Sequence, residues 1–288
     1  MTTPPPGTSG INPSAAYYQK EKLDLDSWFK VTQIDYERLI EQYPPAALFD
    51  FTRNLEIRLL DLGCGTARFP CLLDKKMPDR IHVHADLLDI SEYCLDSAVA
   101  QYHALRHFSP AVTYLSAIEY LPQTIARDRS FDVIWAIHSL CTVNRDKLAD
   151  ICRSCLRLLR PNGKFFIYQL ARNSSYYRLY DYYLVHHSAP NNAARILASE
   201  DHQQVLMSLA IDYEIHKIKF THTIDVEQRH LLAVYLKKCI MDNDPDVLEF
   251  FQPVLNEHLD SPRAQYRFDQ EVDLLIIDKG RNIGAPVA

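Results

Sequence analysis

The sequence predicts an α/β fold with a Rossmann-like, mostly parallel sheet that is covered by helices on both faces. Short apolar segments alternate with amphipathic helical segments from residue 56 to about residue 172, a rhythm that is typical of a parallel sheet buried on both sides. The 288 residues are enough to bury the core of one large domain. Gly63 and Gly65, two of only seven glycines, fall where the first predicted strand turns into the first predicted helix.

The N-terminal region divides into a tail and a helical segment. Residues 1–14 are rich in proline, threonine, serine and glycine, and we expect a disordered tail. Residues 15–55 repeat apolar and aromatic side chains at helical spacing and are predicted to form a helical lid.

Residues 56–172 form the predicted core. It has five strands, predicted at 57–62, 81–89, 112–117, 131–140 and 164–171. Three helices connect them: one carries Phe69, one begins near Ser91, and one covers 146–159 and is stopped by the Arg-Pro-Asn-Gly segment at 160–163.

The regular alternation of strands and helices ends after residue 172. Residues 173–262 contain a sixth strand at 213–220 and helices at 176–187, 199–210, 228–241 and 246–259. Residues 263–280 end in a closing strand at 272–278, and 281–288 form a second tail. Since no repeat or linker interrupts the chain, we expect a single domain over 15–280 with helical insertions.

The composition excludes several classes of function. A net charge of −6 argues against a broad basic surface for nucleic acid or anionic lipid. No apolar run approaches the roughly 18 residues of a membrane span, and the first ten residues lack the features of a signal peptide. Seven cysteines, an odd number, favour a reducing cytoplasm over a disulfide framework. The oligomeric state is left open.

The glycine turn is a candidate ligand site. In an open α/β sheet, ligands bind outside the carboxyl ends of the strands, and glycine lets the backbone approach them closely. A plain strand–helix turn without a ligand is the alternative. Arg68 occupies the third small-residue position of a dinucleotide fingerprint, and the Gly-Lys-Ser/Thr of a phosphate-binding loop is absent.

Acidic residues end the first two predicted strands. Asp61 ends the first strand, and Asp89 ends the second, where a carboxylate can accept hydrogen bonds from a ribose diol. Asp86 is an alternative. We favour Asp89 because Ser91 can begin the next helix, which places Asp89 at the strand–helix corner.

These motifs resemble those of class I S-adenosylmethionine-dependent methyltransferases. The similar segments are LLDLGCGTA, DISEYCLDSA, SAIEYLP and FDVIWAIHSL, in that order over roughly residues 56–172. The resemblance implies a seven-stranded sheet with its last strand antiparallel, S-adenosyl-L-methionine as cofactor and S-adenosyl-L-homocysteine as product. Ala67 departs from the pattern, where glycine is commoner, and we expect a negative φ there.

The resemblance also assigns roles to residues by position. Gly63 and Gly65 would pass the methionine portion of the cofactor, Asp61 would position its amino group, and Asp89 would hold the ribose hydroxyls. The adenine would lie against Ser116, Ala117 and Ile118, with Glu119 close by. Ile137 and His138 would lie near the sulfur.

Aromatic side chains favour a small cationic amine as substrate. Tyrosines are dense after the fifth strand, and Tyr17, Tyr18 and Trp28 supply aromatic rings in the lid. Such rings can bury a small ligand and attract an ammonium group. For most of the tyrosines we favour packing against the domain, and we expect one or two to contact the ligand.

More narrowly, the chain resembles the histamine N-methyltransferase group of small-amine methyltransferases. The similar segments are WAIHSLCTVNRD, SSYYRLYDYY, TIDVEQ and RFDQEVDLLIID. The substrate contacts that this resemblance implies are His138, Thr142, Tyr176, Tyr180 and Gln270. The acidic lid contact of that group has no clean counterpart: Val31 falls near it, and the neighbouring carboxylates are Asp26, Asp35 and Glu37.

His138 is the candidate catalytic residue. A neutral imidazole can take a proton from a bound ammonium, because its ordinary pKa lies close to neutral pH. A purely structural histidine is the alternative. The predicted activity is N-methylation of a primary or secondary amine, with up to two methyl groups. The alternatives are O-methylation, a fold that binds the cofactor without catalysis, and a nicotinamide-dependent reductase.

No metal site is predicted. Cys152 and Cys155 lie three residues apart on the apolar face of a predicted helix without a second pair, so core packing explains them.

Overall fold

A computed structural model describes residues 24–49, 55–126, 130–187, 196–242 and 246–282. The predicted tail at 1–14, the lid tyrosines Tyr17 and Tyr18, and residues 283–288 lie outside the described residues.

The described residues contain one mixed sheet. Its strands are β1 (Glu56–Leu62), β2 (His82–Asp89), β3 (Phe108–Leu115), β4 (Phe131–Ile137), β5 (Leu159–Leu170), β6 (Glu214–Asp225), β7 (Leu259–Asp260) and β8 (Gln265–Asp278).

The strand order confirms the predicted fold. Seven strands follow the order β3-β2-β1-β4-β5-β8-β6, and the two-residue β7 pairs with β8 beside this path. β1 to β5 are parallel neighbours, whereas β8, the last strand, runs antiparallel between β5 and β6. The carboxyl ends of β1, β2 and β4 therefore meet at one edge of the sheet, where a ligand site is expected.

Helices surround the sheet. They are α1 (Leu25–Gln42), α2 (Pro45–Leu48), α3 (Arg68–Asp74), α4 (Glu92–Ala104), α5 (Leu121–Thr124), α6 (Leu148–Leu158), α7 (Ser175–His186), α8 (Ser199–Ser208), α9 (Arg229–Ile240), α10 (Val247–Phe250) and α11 (Gln252–Leu255). Short 3₁₀ turns lie at Ile118–Tyr120, Leu140–Thr142, Arg145–Lys147, Asn256–His258, Ser261–Arg263 and Lys279–Asn282.

Both faces of the sheet are buried. Because side chains alternate along a strand, Leu59 and Val133 join the apolar cluster on one face, while Leu60 and Ile134 join the cluster on the other. A third cluster lies away from the sheet centre and joins α1 to helices α7, α9, α10 and α11. This third cluster packs α1, the described part of the predicted lid, against the helical insertions above the strand ends.

Several boundaries differ from the predicted ones. β6 continues to Asp225 because it forms a long antiparallel ladder with β8, so the Thr-Ile-Asp of TIDVEQ belongs to the strand rather than following it. The helix predicted over 246–259 is instead two single-turn helices, a 3₁₀ turn and β7. Pro253 lies in the first turn of α11, where its missing N–H prevents a continuous helix.

Candidate functional site

A cavity of about 230 Å³ lies at the carboxyl ends of the parallel strands. The cofactor side of its wall comes from the turns after β1, β2 and β3, and the opposite side comes from α1, α7 and α9. The segment after β4 adds His138 and Thr142 to the wall. The cavity brings together most residues that the sequence proposed for the site: Trp28, Asp61, Gly63, Gly65, Asp89, Ala117, Ile118, Ile137, His138, Thr142 and Tyr176.

The glycine turn has the conformation that glycine favours. Gly63 and Gly65 both have positive φ angles, +68° and +52°. A Cβ atom on Gly63 would lie 2.4 Å from the Cβ atom of Ser139, whereas one on Gly65 would meet no atom within 4 Å. The turn is thus packed tightly against the end of β4 at Gly63 and open beside Gly65, which leaves space for a ligand to pass the backbone.

The conformation expected of Ala67 is wrong. Its φ angle is +58°, in the left-handed region, and the residue is fully buried at the N-terminus of α3. The short turn has to reverse direction before α3 begins, and the amide of Ala67 donates to the carbonyl of Cys64 at 3.0 Å. A non-glycine residue in this conformation costs about 1–2 kcal/mol, so the turn is strained.

Asp89 connects two turns at the cavity. Its Oδ2 accepts a hydrogen bond from the amide of Gly65 at 2.9 Å, and its Oδ1 accepts one from the amide of Ser91, also at 2.9 Å. Ser91 caps α4, as expected. Burial raises the pKa of Asp89, while the hydrogen bonds from backbone amides lower it. The rival Asp86 accepts a hydrogen bond from Tyr114 instead and does not line the cavity.

Asp61 lies beneath the glycine turn and is only 4% exposed. The hydroxyl of Tyr102 donates to its Oδ2 at 2.9 Å. Burial raises the pKa of the Asp61 carboxyl to about 7. A cationic group bound in the cavity beside Asp61 would therefore restore its negative charge, since an opposite charge favours the ionised form.

The turn after β3 contributes two of its three predicted residues to the cavity. Ala117 and Ile118 line it, together with Glu119. Ser116 does not: its hydroxyl bonds to that of Thr124 at 2.9 Å and donates to the carbonyl of Ala117.

Two buried polar atoms on the cavity wall beside the glycine turn make no hydrogen bond in the described part of the chain: Thr66 Oγ1 and Ser139 Oγ. Buried polar groups are normally satisfied, so these atoms indicate a polar ligand. With the carboxylates of Asp61 and Asp89, they fit a molecule that carries an ammonium group and a sugar.

His138 forms a pair that the sequence analysis missed. Its Nε2 lies 2.7 Å from Oδ2 of Asp35 in α1, and the hydroxyl of Tyr168 donates to Oδ1 of Asp35 at 2.5 Å. Asp35 is 7% exposed and lines the cavity. The sequence could have predicted a partner for Asp35, because this residue lies between Val31 and Leu39 on the buried face of α1. A carboxylate on such a face requires a partner.

The other nitrogen of His138 is available. Among the described residues, none forms a hydrogen bond with Nδ1. The φ angle of His138 is +55°, and the ring centroid lies 4.8 Å from that of Tyr168. A left-handed backbone and a ring hydrogen-bonded to a carboxylate, both in one residue at a cavity, are typical of a functional position.

Aromatic side chains line the substrate side of the cavity. Trp28 stacks on Tyr235 with 5.4 Å between ring centroids and meets Tyr176 edge-on at 6.0 Å. Thr142 also lines the wall. Tyr180 and Gln270 do not line this wall. Tyr180 is buried in a small apolar cluster, and Gln270 donates to the hydroxyl of Tyr235 and accepts from the amide of Tyr176.

Two further charged or titratable residues on this wall were not identified from the sequence. Lys238 is 9% exposed, and burial lowers the pKa of its ammonium group to about 8. Burial also lowers the pKa of His222 to about 4, and its ring bonds to the hydroxyl of Tyr235 at 3.0 Å. Both lie on the buried faces of their elements, where the hydrophobic pattern alone does not separate a wall residue from a packed one.

Within the described ranges, no cluster of three or more histidine, cysteine or acidic side chains could hold a metal ion. Cys152 and Cys155 are buried in the core of α6. A search of the same residues finds no helix long and apolar enough to cross a membrane.

Comparison with known sequences identifies the core. The methyltransferase domain family matches residues 60–167. O-methyltransferase 3 of Dictyostelium discoideum is 25% identical over 114 residues, which are 39% of this chain and 25% of that protein. The match thus spans only a quarter of the relative's length.

Solved structures share the fold. The YcgJ protein of Bacillus subtilis is 15% identical, with a TM-score of 0.53 over 85% of this chain and 98% of that chain. The plantazolicin methyltransferase BpumL in complex with SAH is 13% identical, with a TM-score of 0.52 and coverages of 93% and 94%. An S-adenosylmethionine-dependent methyltransferase of Thermotoga maritima, a possible histamine N-methyltransferase, is 16% identical, with a TM-score of 0.50 and coverages of 93% and 100%.

Proposed function

We propose that the protein is an S-adenosylmethionine-dependent methyltransferase that transfers a methyl group to the nitrogen of a small primary or secondary amine. The match of residues 60–167 to the methyltransferase domain family supports the reaction class. The observation that carries the proposal is the Asp35–His138 pair: both residues line the cavity, and Nδ1 of His138 has no hydrogen bond among the described residues. His138 is the proposed proton acceptor, and Asp35 positions it.

The cofactor would be held by the residues around the glycine turn. Asp61 would bind its ammonium group, Asp89 its ribose hydroxyls, and the wall at Ala117 and Ile118 its adenine. S-adenosylmethionine supplies a methyl group on a positively charged sulfur and leaves as the neutral thioether S-adenosylhomocysteine. Gly63 and Gly65 allow the backbone to pass the ligand without a Cβ clash.

The protein has to provide a group that accepts the proton of the substrate's ammonium group. A small amine arrives at neutral pH mainly as an ammonium ion, which has no lone pair for the reaction. When Nε2–H of His138 donates to Asp35, Nδ1 keeps its lone pair and can accept the proton of the ammonium. The negative charge of Asp35 then stabilises the imidazolium that forms.

The walls of the cavity orient the amine that accepts the methyl group, and they exclude water. Trp28 and Tyr176 provide ring faces and edges beside the cavity, and such rings hold small cationic or aromatic groups. Holding the amine nitrogen in line with the methyl group converts a bimolecular step into an effectively unimolecular one, which can supply roughly 7–11 kcal/mol of the barrier.

O-methylation of a small hydroxyl compound is the second candidate. The observation that favours it is the match to O-methyltransferase 3. The same histidine could accept the proton of a hydroxyl group, so the pair at the cavity serves both reactions.

The test is a product analysis with the full-length protein. A panel of small amines and a panel of small phenols and alcohols are incubated with isotope-labelled S-adenosylmethionine, and the position of each new methyl group is assigned by mass spectrometry and nuclear magnetic resonance. N-methyl products support the proposal. O-methyl products alone, or failure to bind S-adenosylhomocysteine in calorimetry, overturn it.

The variant His138→Ala separates the proposed roles. We expect its turnover to fall by a factor of about 10²–10⁴, the usual contribution of a positioned base, with nearly unchanged affinity for S-adenosylhomocysteine. Wild-type turnover in this variant would remove His138 from the mechanism.

A further inference from the structure

We propose that the substrate carries an uncharged hydrogen-bond acceptor, such as a ring nitrogen or an ether or carbonyl oxygen, apart from the amine that is methylated, and that Nε2–H of His222 binds it. The inference rests on the proposed function and adds a substrate class to it: amines that carry such an acceptor rather than amines whose other groups are purely apolar.

His222 lies on the wall of the cavity at its substrate side. The residue belongs to β6, is only 4% exposed and lines the cavity. Asp35 raises the pKa of His222 and His138 lowers it, so the pair proposed for proton transfer lies close to this ring. His222 and the proposed base therefore belong to one compartment of the cavity.

One ring nitrogen of His222 has no partner in the part of the chain that the structure describes. Nδ1 lies 3.0 Å from the hydroxyl oxygen of Tyr235, whereas Nε2 is buried and makes no hydrogen bond with a described residue. A buried donor without an acceptor costs about 1–3 kcal/mol, and buried polar groups normally have partners. Because His222 lines the cavity, a bound ligand can supply the missing partner.

A chain of hydrogen bonds determines which nitrogen of His222 carries the proton. The amide of Tyr176 donates to Oε1 of Gln270, and this orients the side-chain amide so that its Nε2 donates to the hydroxyl oxygen of Tyr235 at 3.1 Å. The hydroxyl therefore keeps its own proton for Nδ1 of His222. Nε2 then carries the ring proton and is a hydrogen-bond donor.

The thiol of Cys239 and the charge of Asp35 leave this assignment unchanged. The thiol also lies at the hydroxyl of Tyr235, but sulfur is a weak acceptor, so the imidazole nitrogen takes the proton of the hydroxyl. Burial lowers the pKa of His222 to about 4, although Asp35 raises it. The ring is therefore neutral near neutral pH, and Nε2–H is its single donor.

The surroundings of His222 favour a neutral acceptor over a charged one. The ring centroid of Phe220 lies 5.2 Å from that of His222, and the ring of Tyr235 meets it edge-on at 5.6 Å. Burying a full charge among such rings costs far more than burying a neutral polar group. The lone pair of a ring nitrogen or of an ether or carbonyl oxygen therefore matches Nε2–H, whereas a group that only donates would leave both donors unpaired.

The test compares small amines that differ in the ring attached to the ethylamine chain. The three isomeric pyridylethylamines carry a ring nitrogen that accepts, pyrrolylethylamine carries a ring N–H that only donates, and phenethylamine carries neither. Methoxyethylamine and butylamine give the same comparison for an ether oxygen. For each amine we would measure the affinity for the protein loaded with S-adenosylhomocysteine by calorimetry, and kcat/KM with labelled cofactor. We expect at least one acceptor member to be favoured by about tenfold or more over its matched partner, because that partner leaves the buried donor unpaired.

The variants assign the preference to the donor. His222→Phe keeps a ring and should remove the preference, whereas His222→Gln provides an amide N–H and should retain part of it. Tyr235→Phe keeps the ring that stacks on Trp28 but removes the hydroxyl that holds the proton on Nε2, so it should weaken the discrimination between acceptor and donor rings. His216→Phe is the matched control and should leave the preference unchanged, because His216 lies on the same strand and does not line the cavity.

Nitrogen NMR of the unsubstituted protein tests the assignment directly. With S-adenosylhomocysteine bound, the ring of His222 should show a protonated Nε2 and an unprotonated Nδ1 near neutral pH, and the Nε2–H signal should shift when a favoured pyridylethylamine binds. A protonated Nδ1 overturns the inference. It is also overturned if phenethylamine or pyrrolylethylamine binds as tightly as every pyridyl member, if no acceptor member binds, or if His222→Phe keeps the preference.

Two readouts separate this inference from the proposed function. If amines are methylated equally well with and without an acceptor, the N-methyltransferase proposal stands and the role of His222 fails. If acceptor ligands bind through His222 but no N-methyl product forms, the role of His222 stands and the proposed reaction fails.

Discussion

The two halves of the cavity are built differently. The cofactor half comes from turns that directly follow β1, β2 and β3, and its main contacts are local or join neighbouring strands, such as the amides of Gly63 and Cys64 on the carbonyl of Leu88. The substrate half comes from α1, α7 and α9, which are far apart in the chain. Local chain geometry shapes the first half, whereas tertiary packing shapes the second.

Each half also buries a charge of opposite sign. Burial raises the pKa of Asp61 to about 7 in the cofactor half and lowers that of Lys238 to about 8 in the substrate half. In both cases burial favours the neutral form. The comparison indicates that burial acts on a titratable group in each half, on a carboxylate in the first and on an ammonium group in the second.

Gly63→Ala tests the cofactor half most severely. Its Cβ would overlap that of Ser139, and its φ angle of +68° is unfavourable for alanine. We expect S-adenosylhomocysteine affinity to fall by more than about a hundredfold and stability to fall by about 1–3 kcal/mol. Calorimetry and urea unfolding would measure the two effects.

Gly65→Ala and Ser139→Gly provide the controls. A Cβ on Gly65 meets no protein atom within 4 Å, so its variant should lose affinity with a smaller loss of stability. Gly63→Ala combined with Ser139→Gly should regain part of the stability, because the overlapping Cβ is removed. Wild-type affinity in Gly63→Ala would contradict the tight packing of the turn.

The cofactor half was largely predictable from the sequence because its signals are local. Each signal can be recognised from a few consecutive residues. The signals are a strand that ends in Asp61, a pair of glycines, and a serine that caps a helix. Ala67 escaped prediction because its left-handed conformation depends on how the turn enters α3. The alternation of strands and helices predicted the mostly parallel sheet, and the antiparallel last strand was implied by the resemblance, but no strand order was predicted.

The substrate half was only partly predictable because its contacts join distant residues. Asp35 and His138 are 103 positions apart in the chain. Tyr180 and Gln270 were proposed as wall residues, yet neither lines the cavity. Tyr180 packs in an apolar cluster, and Gln270 bonds to the amide of Tyr176 and the hydroxyl of Tyr235. Residue type and helical spacing do not distinguish a side chain on the wall from one directly behind it.

Asp35→Asn should affect turnover in the substrate half and leave the cofactor half intact. An asparagine cannot stabilise the imidazolium of His138, so we expect kcat to fall by about tenfold to a hundredfold, with S-adenosylhomocysteine affinity unchanged. The pH dependence of kcat should shift as well, which a purely structural role would not produce. Steady-state kinetics across pH would measure both.

Glu37→Gln is the matched control for Asp35→Asn. Glu37 lies on the same helix, bonds to Gln33 at 2.6 Å and does not line the cavity. Its variant should keep wild-type kinetics. Equal losses in the two variants would show that α1 acts through its charge rather than through the contact with His138.

Asp61→Asn should change the pH dependence of stability. The folded-state pKa of about 7 lies above the ordinary value of 3.8, so between these values the native state binds more protons than the unfolded state. The free energy of unfolding should therefore fall as pH rises through this window, by up to about 1.4 kcal/mol per unit from this group. Urea unfolding at several pH values should show that slope reduced in the variant.

The ligand and a surface variant control the Asp61 experiment. Saturating S-adenosylhomocysteine should flatten the slope of the wild-type protein, because its ammonium group would favour the ionised carboxylate. Asp96→Asn, at an exposed position of α4, should keep the wild-type slope. An unchanged slope in Asp61→Asn would show that this carboxyl ionises in the folded state much as it does in the unfolded chain.

Ser116→Ala should have the smallest effect, and it tests where the cofactor half ends. The hydroxyl of Ser116 bonds to Thr124 and Ala117 rather than facing the cavity, so its loss should change S-adenosylhomocysteine affinity by less than about twofold, within the 0.5 kcal/mol typical of substitutions away from functional contacts. Ala117→Ser, at the adjacent position that does line the cavity, is the comparison. A tenfold loss in Ser116→Ala would mean that the hydroxyl turns toward the adenine when the cofactor binds.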